Sequence, residues 1–480
     1  MNKFLSQYKH LPIPAKASFW FLLCSFLQKG ISTVTTPIFT RLLTPAEYGQ
    51  YNVFNSWFGI VTIFVSLNLY YGVFTQGLVK FEQERTIFAS SLQGLSTTLV
   101  AIWTLIYFIG HNFWNNLFSL TTVQMLAMLT MIWTSSAFNF WAAEQRVLYK
   151  YRLLVVVTCL VSIAKPVIGI ILVLCSNDKV TARILGLAFV ELIGYSWCFI
   201  FQMRQGKMFF SYKYWKYALL FNLPLVPHYL SQNILNNSDR IMISNQIGTG
   251  AAGIYSLAYS IAMIMTLFNT ALSQTLSPWI YKKIKEKQIS DIAPVAYLSL
   301  AIVGSTNLVL IMIAPEVVRF FAPASYYEAI YCIPPIAMGV FFLYSYDLFA
   351  KFAFYYERTK LIMCASVVGA VLNVLLNYFF INIFGYIAAA YTTLICYIVY
   401  AVFHYMLSLK ICHLYLDGVT PYSSRKLIGY SLLFLLCGFI MLFTYNYPVI
   451  RYMIIVVILF VLVKRRKEIF SYLYALKTIR

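Results

Sequence analysis

The stretch Thr40–Trp57, TRLLTPAEYGQYNVFNSW, places two charged residues, a proline and a glycine between two long apolar runs. A second stretch, Ile247–Ile261 (IGTGAAGIYSLAYSI), has a similar pattern. Both contain the motif G-x-Y-x-x-x-x-S, which begins at Gly49 and again at Gly253, 204 residues later. In both stretches a short loop leads into an apolar helix. The repeated junction indicates that the chain contains a duplicated unit.

The composition predicts the class of protein. Of the 480 residues, 61% are apolar and only 11% are charged, and the mean hydropathy is +0.74. A soluble domain is about 25% charged, so this chain has too few charges to cover a water-exposed surface. Its apolar runs of roughly 20 residues are long enough to cross a bilayer core of about 30 Å. We therefore expect an all-α polytopic membrane protein.

The apolar runs predict fourteen membrane-spanning helices. We place them at 17–38, 50–73, 87–110, 118–142, 153–175, 182–203, 217–240, 251–276, 292–314, 327–350, 361–383, 386–409, 427–446 and 448–464. Within the seventh, Pro224 and Pro227 predict a break or kink. An even number of spans puts both termini on the same side of the membrane.

The basic residues predict the orientation. The predicted inner segments contain 28 Lys and Arg and the outer segments 6, while Lys29 and Lys165 lie within predicted helices. Basic residues favour the cytoplasmic side, so both termini should be cytoplasmic. The net charge of +21 then follows from topology, and no nucleic-acid partner is expected.

The sequence contains no pattern typical of catalysis or metal binding. There is no G-x-x-x-x-G-K-[ST] motif for nucleotide binding, and the nine cysteines and five histidines show no metal-ligand spacing. No predicted outer loop is long enough to form a catalytic domain. We expect no catalytic residue, no metal and no cofactor, and therefore not an enzyme.

Other matches at similar offsets support two halves. Arg152 and Lys360 each open a predicted helix, 208 residues apart, and at that offset Lys165 corresponds to Asn373. We predict six-helix halves at 1–210 and 211–410 in the same orientation, followed by two extra helices and a basic tail at 411–480. Parallel repeats of this kind are a transporter plan in which the substrate path lies between the halves.

Three stretches resemble one family. They are Thr40–Trp57, Asn236–Ile261 (NNSDRIMISNQIGTGAAGIYSLAYSI) and Leu372–Tyr397 (LNVLLNYFFINIFGYIAAAYTTLICY). They resemble, in order, the conserved junctions of Wzx-type polysaccharide flippases of the multidrug/oligosaccharidyl-lipid/polysaccharide exporter superfamily. Beyond Leu409 the chain resembles that family in hydropathy only.

The resemblance implies a MATE-like fold and a flippase activity. The expected cargo is an undecaprenyl-pyrophosphate-linked oligosaccharide, moved to the outer leaflet for O-antigen, capsule or exopolysaccharide assembly. Membrane lipids, the polysaccharide polymerase and the chain-length regulator are the implied partners. A monomer is expected, since two halves already supply the pseudo-symmetry.

Two lysines in the predicted helices are candidate substrate-binding residues. Lys29 lies on a polar face with Ser25 and Ser32, and Lys165 lies on a similar face of the fifth predicted helix. A cation at mid-membrane costs about 2.5–3.5 kcal/mol, so each should face a cavity or a partner. We interpret them as ligands of the pyrophosphate or of acidic sugars. The alternatives are an ion pair with Glu191 or a side chain that extends to the membrane surface.

Three further residues are substrate-binding candidates at the outer side. Arg41 is either a residue at the mouth of the path that meets the sugar or a simple helix-end charge. Asn236 and Arg240 follow each other at a four-residue step on the seventh predicted helix. For Asp239 and Arg240 the favoured interpretation is a structural ion pair that fixes the loop.

Asp347 and Glu191 are candidates for ion coupling. Asp347 is four residues before Lys351, a spacing that also suits an intrahelical ion pair. A MATE-like multidrug or organic-cation antiporter remains the alternative function, but such a pump should carry deep carboxylates. The deep charges here are two lysines and one glutamate, which favours an anionic cargo.

Overall fold

The computed structural model describes residues 12–464, apart from the side chains of 359–361 and 458–464. Every regular element in the described range is helical. Eighteen α-helices follow one another: α1 (Ile13–Leu42), α2 (Pro45–Ser66), α3 (Gly72–Lys80), α4 (Arg85–Ile109), α5 (His111–Phe118), α6 (Thr122–Val147), α7 (Tyr151–Cys175), α8 (Lys179–Gly206), α9 (Tyr212–Asn222), α10 (Val226–Gln246), α11 (Thr249–Ala262), α12 (Met265–Lys285), α13 (Ile292–Phe321), α14 (Ala329–Tyr355), α15 (Thr359–Phe384), α16 (Ile387–Tyr415), α17 (Ser424–Phe443) and α18 (Pro448–Lys464).

Each of the fourteen predicted segments is mainly helical, with short breaks such as 67–71 and 119–121, and the all-α class is confirmed. Within the described range, nine helical stretches are long and apolar enough to cross a membrane, or ten if α5 and α6, bent by 88°, form one span. The stretches outside this set include α1 and α10, which carry many hydroxyl and amide groups, and α18, whose described apolar part is short. Fourteen spans therefore stay a prediction.

Capping residues and prolines in the sequence explain where helices begin and where one is interrupted. Thr44 caps α2: its hydroxyl accepts a hydrogen bond from the Glu47 amide, and the Glu47 carboxylate accepts one from the Thr44 amide. Pro45 at the first turn needs no hydrogen-bond partner there. The predicted break near Pro224 is confirmed, because the 3₁₀ turn Leu223–Leu225 separates α9 from α10.

The structure divides into two compact units, Met1–Gly253 and Ile254–Arg480. In the first unit α8 packs against α4, α6 and α7, while α1 packs on α7 and α10 on α2. In the second unit α14 is the central helix and packs against α12, α13, α16 and α17. The apolar stretch of α14 that is long enough to cross a membrane is 83% buried, more than that of any other candidate span in the described range. The six-helix halves at 1–210 and 211–410 remain a prediction. The boundary between two compactly packed units need not coincide with the boundary between two duplicated segments.

The two glycines of the repeated junction contact each other within the first unit. A Cβ on Gly49 would lie 1.8 Å from the Thr249 carbonyl oxygen, and a Cβ on Gly253 would lie 2.0 Å from the Pro45 carbonyl oxygen. The approach is reciprocal, because in each case the oxygen belongs to the residue four positions before the other glycine. Only residues without a side chain allow the two backbones to come this close.

Candidate functional site

A polar cavity of about 250 Å³ lies inside the first unit. Four helices, α1, α2, α7 and α8, supply its walls. The lining combines two cations with hydroxyl, amide, aromatic and aliphatic groups: Gln28, Ile31, Ser32, Thr35, Phe39, Tyr51, Ser162, Lys165, Pro166, Gly169, Arg183 and Leu187. Such a cavity can hold a polar or anionic group away from the surrounding hydrocarbon.

Helix α1 presents one polar face to this cavity. Gln28, Ser32 and Thr35 are spaced by four and three residues, which places them on the same side of the helix. Lys29 is exposed but does not line the cavity. It lies about 100° around the helix from Gln28, at the edge of the face. Its contact with substrate therefore stays a prediction.

Lys165 lines the cavity and also forms an ion pair. Its Nζ lies 2.6 Å from the Glu191 Oε1, so the alternative that the sequence left open for this lysine is confirmed. The Thr134 hydroxyl lies 3.3 Å from the Glu191 Oε2 and 3.1 Å from the Thr130 carbonyl oxygen, so these two acceptors share its single proton. The Lys165 side chain is 28% exposed, whereas that of Glu191 is only 6% exposed. The cation of the pair is thus the accessible partner.

The ring of Tyr195 completes the surroundings of this pair, with its centroid 5.6 Å from the Lys165 Nζ. A lysine near an aromatic face gains a modest electrostatic attraction. Because Glu191 compensates the charge of Lys165, the pair satisfies the condition for a buried charge in a membrane.

Arg183 is the second cation of the cavity, and the sequence interpretation did not single it out. Its guanidinium carbon lies 3.6 Å from the ring centroid of Phe39 and 3.4 Å from that of Tyr51. The planar guanidinium is therefore held between two aromatic rings from different helices. At the outer end of a predicted helix, this arginine had the pattern of an ordinary helix-end charge. The only sequence feature that could have identified Arg183 was the presence of aromatic residues on α1 and α2.

The outer candidates lie away from the cavity lining. Arg41 is exposed and donates to the Pro37 carbonyl oxygen at 2.8 Å. Arg240 donates to the Asn236 carbonyl oxygen at 3.2 Å and to the Asn237 side-chain oxygen at 3.1 Å. None of Arg41, Asn236 and Arg240 is among the described residues that line the cavity.

Asp239 is buried, with 1% of its surface exposed. Its pairing with Arg240 stays a prediction.

The second unit holds the other predicted carboxylate. The Asp347 Oδ2 accepts from the Lys351 Nζ at 2.7 Å and from the Ser273 hydroxyl at 2.6 Å. Lys351 also donates to the Ser273 Oγ at 2.9 Å. The predicted pair at four-residue spacing is confirmed. Here the lysine side chain is 3% exposed and the aspartate 33%.

A further buried network in the first unit joins α4, α6 and α8. Gln202 donates to the Glu144 carboxylate at 2.6 Å, and Gln93 donates to the Gln202 side-chain oxygen at 2.7 Å. Gln93 also donates to the Ala137 carbonyl oxygen at 3.1 Å. The sequence interpretation did not single out these residues. Because they are buried and joined to one another, we assign them to helix packing.

Comparisons with known proteins agree with the helical architecture. A family model described as "Polysaccharide biosynthesis protein" matches residues 15–283, more than half of the chain. A model described as "MatE" matches residues 224–379.

Two curated relatives come from Haemophilus influenzae. "Lsg locus putative protein 1" is 23% identical over 205 residues, which cover 41% of this chain and 51% of the relative. An "Uncharacterized membrane protein" is 25% identical over 206 residues, which cover 41% and 50%. The chain spans about half the length of the curated relatives it matches.

Solved structures share the fold at low identity. The lipid II flippase MurJ, in an inward closed conformation, matches with a TM-score of 0.65 and 15% identity over 90% of this chain and 99% of that one. An inward-facing MATE family multidrug resistance transporter matches with a TM-score of 0.60 and 13% identity over 80% and 95%. The chain is a multi-pass membrane protein with a MATE/MurJ-like fold.

Proposed function

The chain belongs to the polysaccharide biosynthesis protein family, and on that premise we propose that it is a flippase for lipid-linked oligosaccharides. The cargo is an undecaprenyl-pyrophosphate-linked repeat unit, carried from the cytoplasmic to the outer leaflet of a bacterial inner membrane by alternating access. The product serves O-antigen, capsule or exopolysaccharide assembly. The protein acts as a monomeric transporter without a catalytic step, with both termini cytoplasmic, and delivers to a polymerase and its chain-length regulator.

One observation supports this proposal above the others: the polar cavity of the first unit has two cations, Lys165 and Arg183, in its wall. A pyrophosphate and its sugars lose water on entering a membrane, and removing water from charged groups without replacement is costly. The ammonium, the guanidinium and the hydroxyl groups of Ser32 and Ser162 replace part of that hydration. The anionic head of the cargo therefore has a binding site of opposite charge.

Glu191 is the counterion of Lys165 at the cavity. Without cargo, its carboxylate holds the Lys165 ammonium at 2.6 Å. An incoming phosphate oxygen competes with this carboxylate for the same ammonium. The cargo phosphate then replaces Glu191 as the counterion of Lys165, so binding changes the electrostatic interactions of both α7 and α8. Glu191, which loses its counterion when cargo binds, is the ion-coupling residue of the first unit in this proposal.

The remaining candidates have supporting roles in the proposal. Lys29, at the edge of the polar face of α1, contacts the cargo as it enters. Arg41, Asn236 and Arg240 contact sugars at the outer side. Asp347, whose carboxylate is a third exposed, provides a second coupling group in the second unit.

A MATE-like cation antiporter is the second candidate function. The MatE model match at residues 224–379 favours it, and so does the partly exposed Asp347 carboxylate, which suits a cationic ligand. The sign of the cargo separates the two functions. A flippase of the proposed kind binds an anion through the first unit, whereas an antiporter binds an organic cation through a carboxylate.

A complementation experiment tests the proposal. The gene is deleted in its host, wild type is reintroduced at native level, and surface polysaccharide is blotted beside a drug-susceptibility panel. We expect loss of surface polysaccharide on deletion, full rescue by wild type and an unchanged drug response. Undiminished polysaccharide in a host without a second flippase, together with increased sensitivity to organic cations, would instead identify the antiporter.

A further inference from the structure

The connection between α8 and α9 is fixed on the surface of the first unit. Helix α8 ends at Gly206, and Lys207 follows with a left-handed φ of 51°. A Cβ on Gly94 of α4 would lie 2.0 Å from the Phe209 carbonyl oxygen. The Trp215 indole donates to the Ser91 carbonyl oxygen at 2.9 Å. The backbone of this segment thus packs directly on α4, which leaves its side chains pointing outward.

The outward side chains include large apolar and aromatic groups. Phe209 is 45% exposed, Phe210 57% and Tyr212 68%. Met208 beside them is 40% exposed. Three consecutive exposed residues of this type, with Tyr212 two positions further on, are costly in water, and aromatic residues are enriched where a membrane meets water. The segment therefore suits the interface of the bilayer.

Basic residues lie in the same part of the first unit as these aromatic groups. Residues 80–91 and 204–217 contain six Lys and Arg and two Glu. Lys80 Nζ lies 4.7 Å from the ring centroid of Tyr217, which connects the two segments. Glu84 pairs with Lys213 at 2.8 Å, and this hydrogen bond raises the pKa of the lysine. Lys207 and Lys216 are exposed, and Lys216 Nζ lies 5.5 Å from the ring of Tyr212.

We propose that this basic–aromatic patch, residues 80–91 and 204–217, binds the phosphate headgroups of anionic phospholipids. The lysines supply charge complementary to the headgroup, while Phe209 and Phe210 insert beside the acyl chains. Packing of the backbone on α4 keeps the lysines and the aromatic residues next to each other. The proposal does not depend on the cargo of the transporter.

Native mass spectrometry tests this site on the full-length protein. Protein released from nanodiscs of equal phosphatidylglycerol and phosphatidylcholine is scored for retained lipid. We expect wild type to retain phosphatidylglycerol preferentially. A lysine near an anionic surface contributes about 1 kcal/mol. The double variant Lys207→Gln/Lys216→Gln should therefore bind it about thirtyfold more weakly, since 1.4 kcal/mol is tenfold.

Two matched variants complete the test. Lys285→Gln/Lys287→Gln removes two exposed lysines elsewhere and should keep the preference for phosphatidylglycerol. Lys207→Arg/Lys216→Arg retains the charge and should also keep it, while size-exclusion profiles report folding. Equal retention of both lipids by wild type, or an equal loss in the Lys285→Gln/Lys287→Gln protein, would overturn the proposal.

Discussion

Two lysine–carboxylate pairs, one in each unit, differ in which partner is accessible. In the first unit Lys165 is 28% exposed, and its partner Glu191 is 6% exposed. In the second unit the order is reversed, with Lys351 3% exposed and Asp347 33%. The two pairs have similar N–O distances, 2.6 and 2.7 Å. The distances therefore do not distinguish the pairs, whereas the exposure of each partner does.

This reversal shows that an ion pair in a membrane protein can present either charge. The first pair joins two helices, α7 and α8, and offers an ammonium to a polar cavity. The second pair lies within α14, with Ser273 of α12 as its third member, and offers a carboxylate. We expect the accessible charge to select the sign of a ligand, so that the first unit binds an anion and the second unit a cation.

The largest expected effect comes from Lys165→Ala. It leaves the buried Glu191 carboxylate uncompensated, and breaking a buried pair in this way costs about 3–5 kcal/mol. Both the amount of folded protein and surface polysaccharide should fall strongly, as measured by fluorescence size-exclusion and by blotting of the complemented host.

A double variant separates folding from binding at this site. In Lys165→Ala/Glu191→Gln the uncompensated charge is gone, so the folded amount should recover while export should not. Recovery of export to the wild-type level would contradict a role for Lys165 in cargo binding and leave only the structural pair.

Asp347→Asn should have the next largest effect, on stability and not on cargo binding. Lys351 loses its carboxylate but keeps the Ser273 hydroxyl, so we expect a loss of about 1–3 kcal/mol in the free energy of unfolding. Thermal unfolding measures this loss, and binding of lipid-linked oligosaccharide by the folded fraction should be unchanged. Loss of that binding would remove the difference between the two pairs.

Arg183→Lys should have a smaller effect. It keeps the charge but loses the planar stacking between Phe39 and Tyr51, and a cation–aromatic contact is worth about 0.5–2 kcal/mol. We expect a lower melting temperature and weaker head-group binding. Arg152→Lys, an exposed arginine at the start of α7, is the control and should leave both unchanged. Equal effects of the two substitutions would show that the stacking has no special role.

Thr134→Val should have the smallest effect. It removes one hydrogen bond, at 3.3 Å, to the carboxylate of the first pair, and a net contribution of about 1 kcal/mol is typical. Export should stay within about fivefold of wild type, because 1.4 kcal/mol would be needed for a tenfold change. Thr130→Val, whose hydroxyl bonds its own helix, is the control. Loss of export as severe as that of Lys165→Ala would contradict the secondary role of Thr134.

The helices could be predicted from the sequence because hydropathy and proline are local signals. Every predicted span has a helical counterpart, and the break at Leu223–Leu225 follows from Pro224. The span count could not be settled in the same way. Helices such as α1 carry polar side chains toward a cavity, and these lower the apolarity by which a span is recognised.

The candidate site was predicted only in part. Lys165 and Glu191 stood out because a charge within an apolar run requires a partner or a cavity. Arg183 did not, since its aromatic neighbours Phe39 and Tyr51 lie more than 130 residues away in the chain and only the packing of α1, α2 and α8 brings them together. Contacts between distant helices depend on rotation about each helix axis, which hydropathy does not determine.

The most direct test of the first pair is a charge swap, Lys165→Glu/Glu191→Lys, measured as polysaccharide export per folded protein. The swap restores an ion pair but moves the cation to a position where the native side chain is only 6% exposed. If Lys165 binds the cargo head, the swap should recover folding relative to Lys165→Glu alone and leave export abolished. Export that returns together with folding would contradict cargo binding by Lys165.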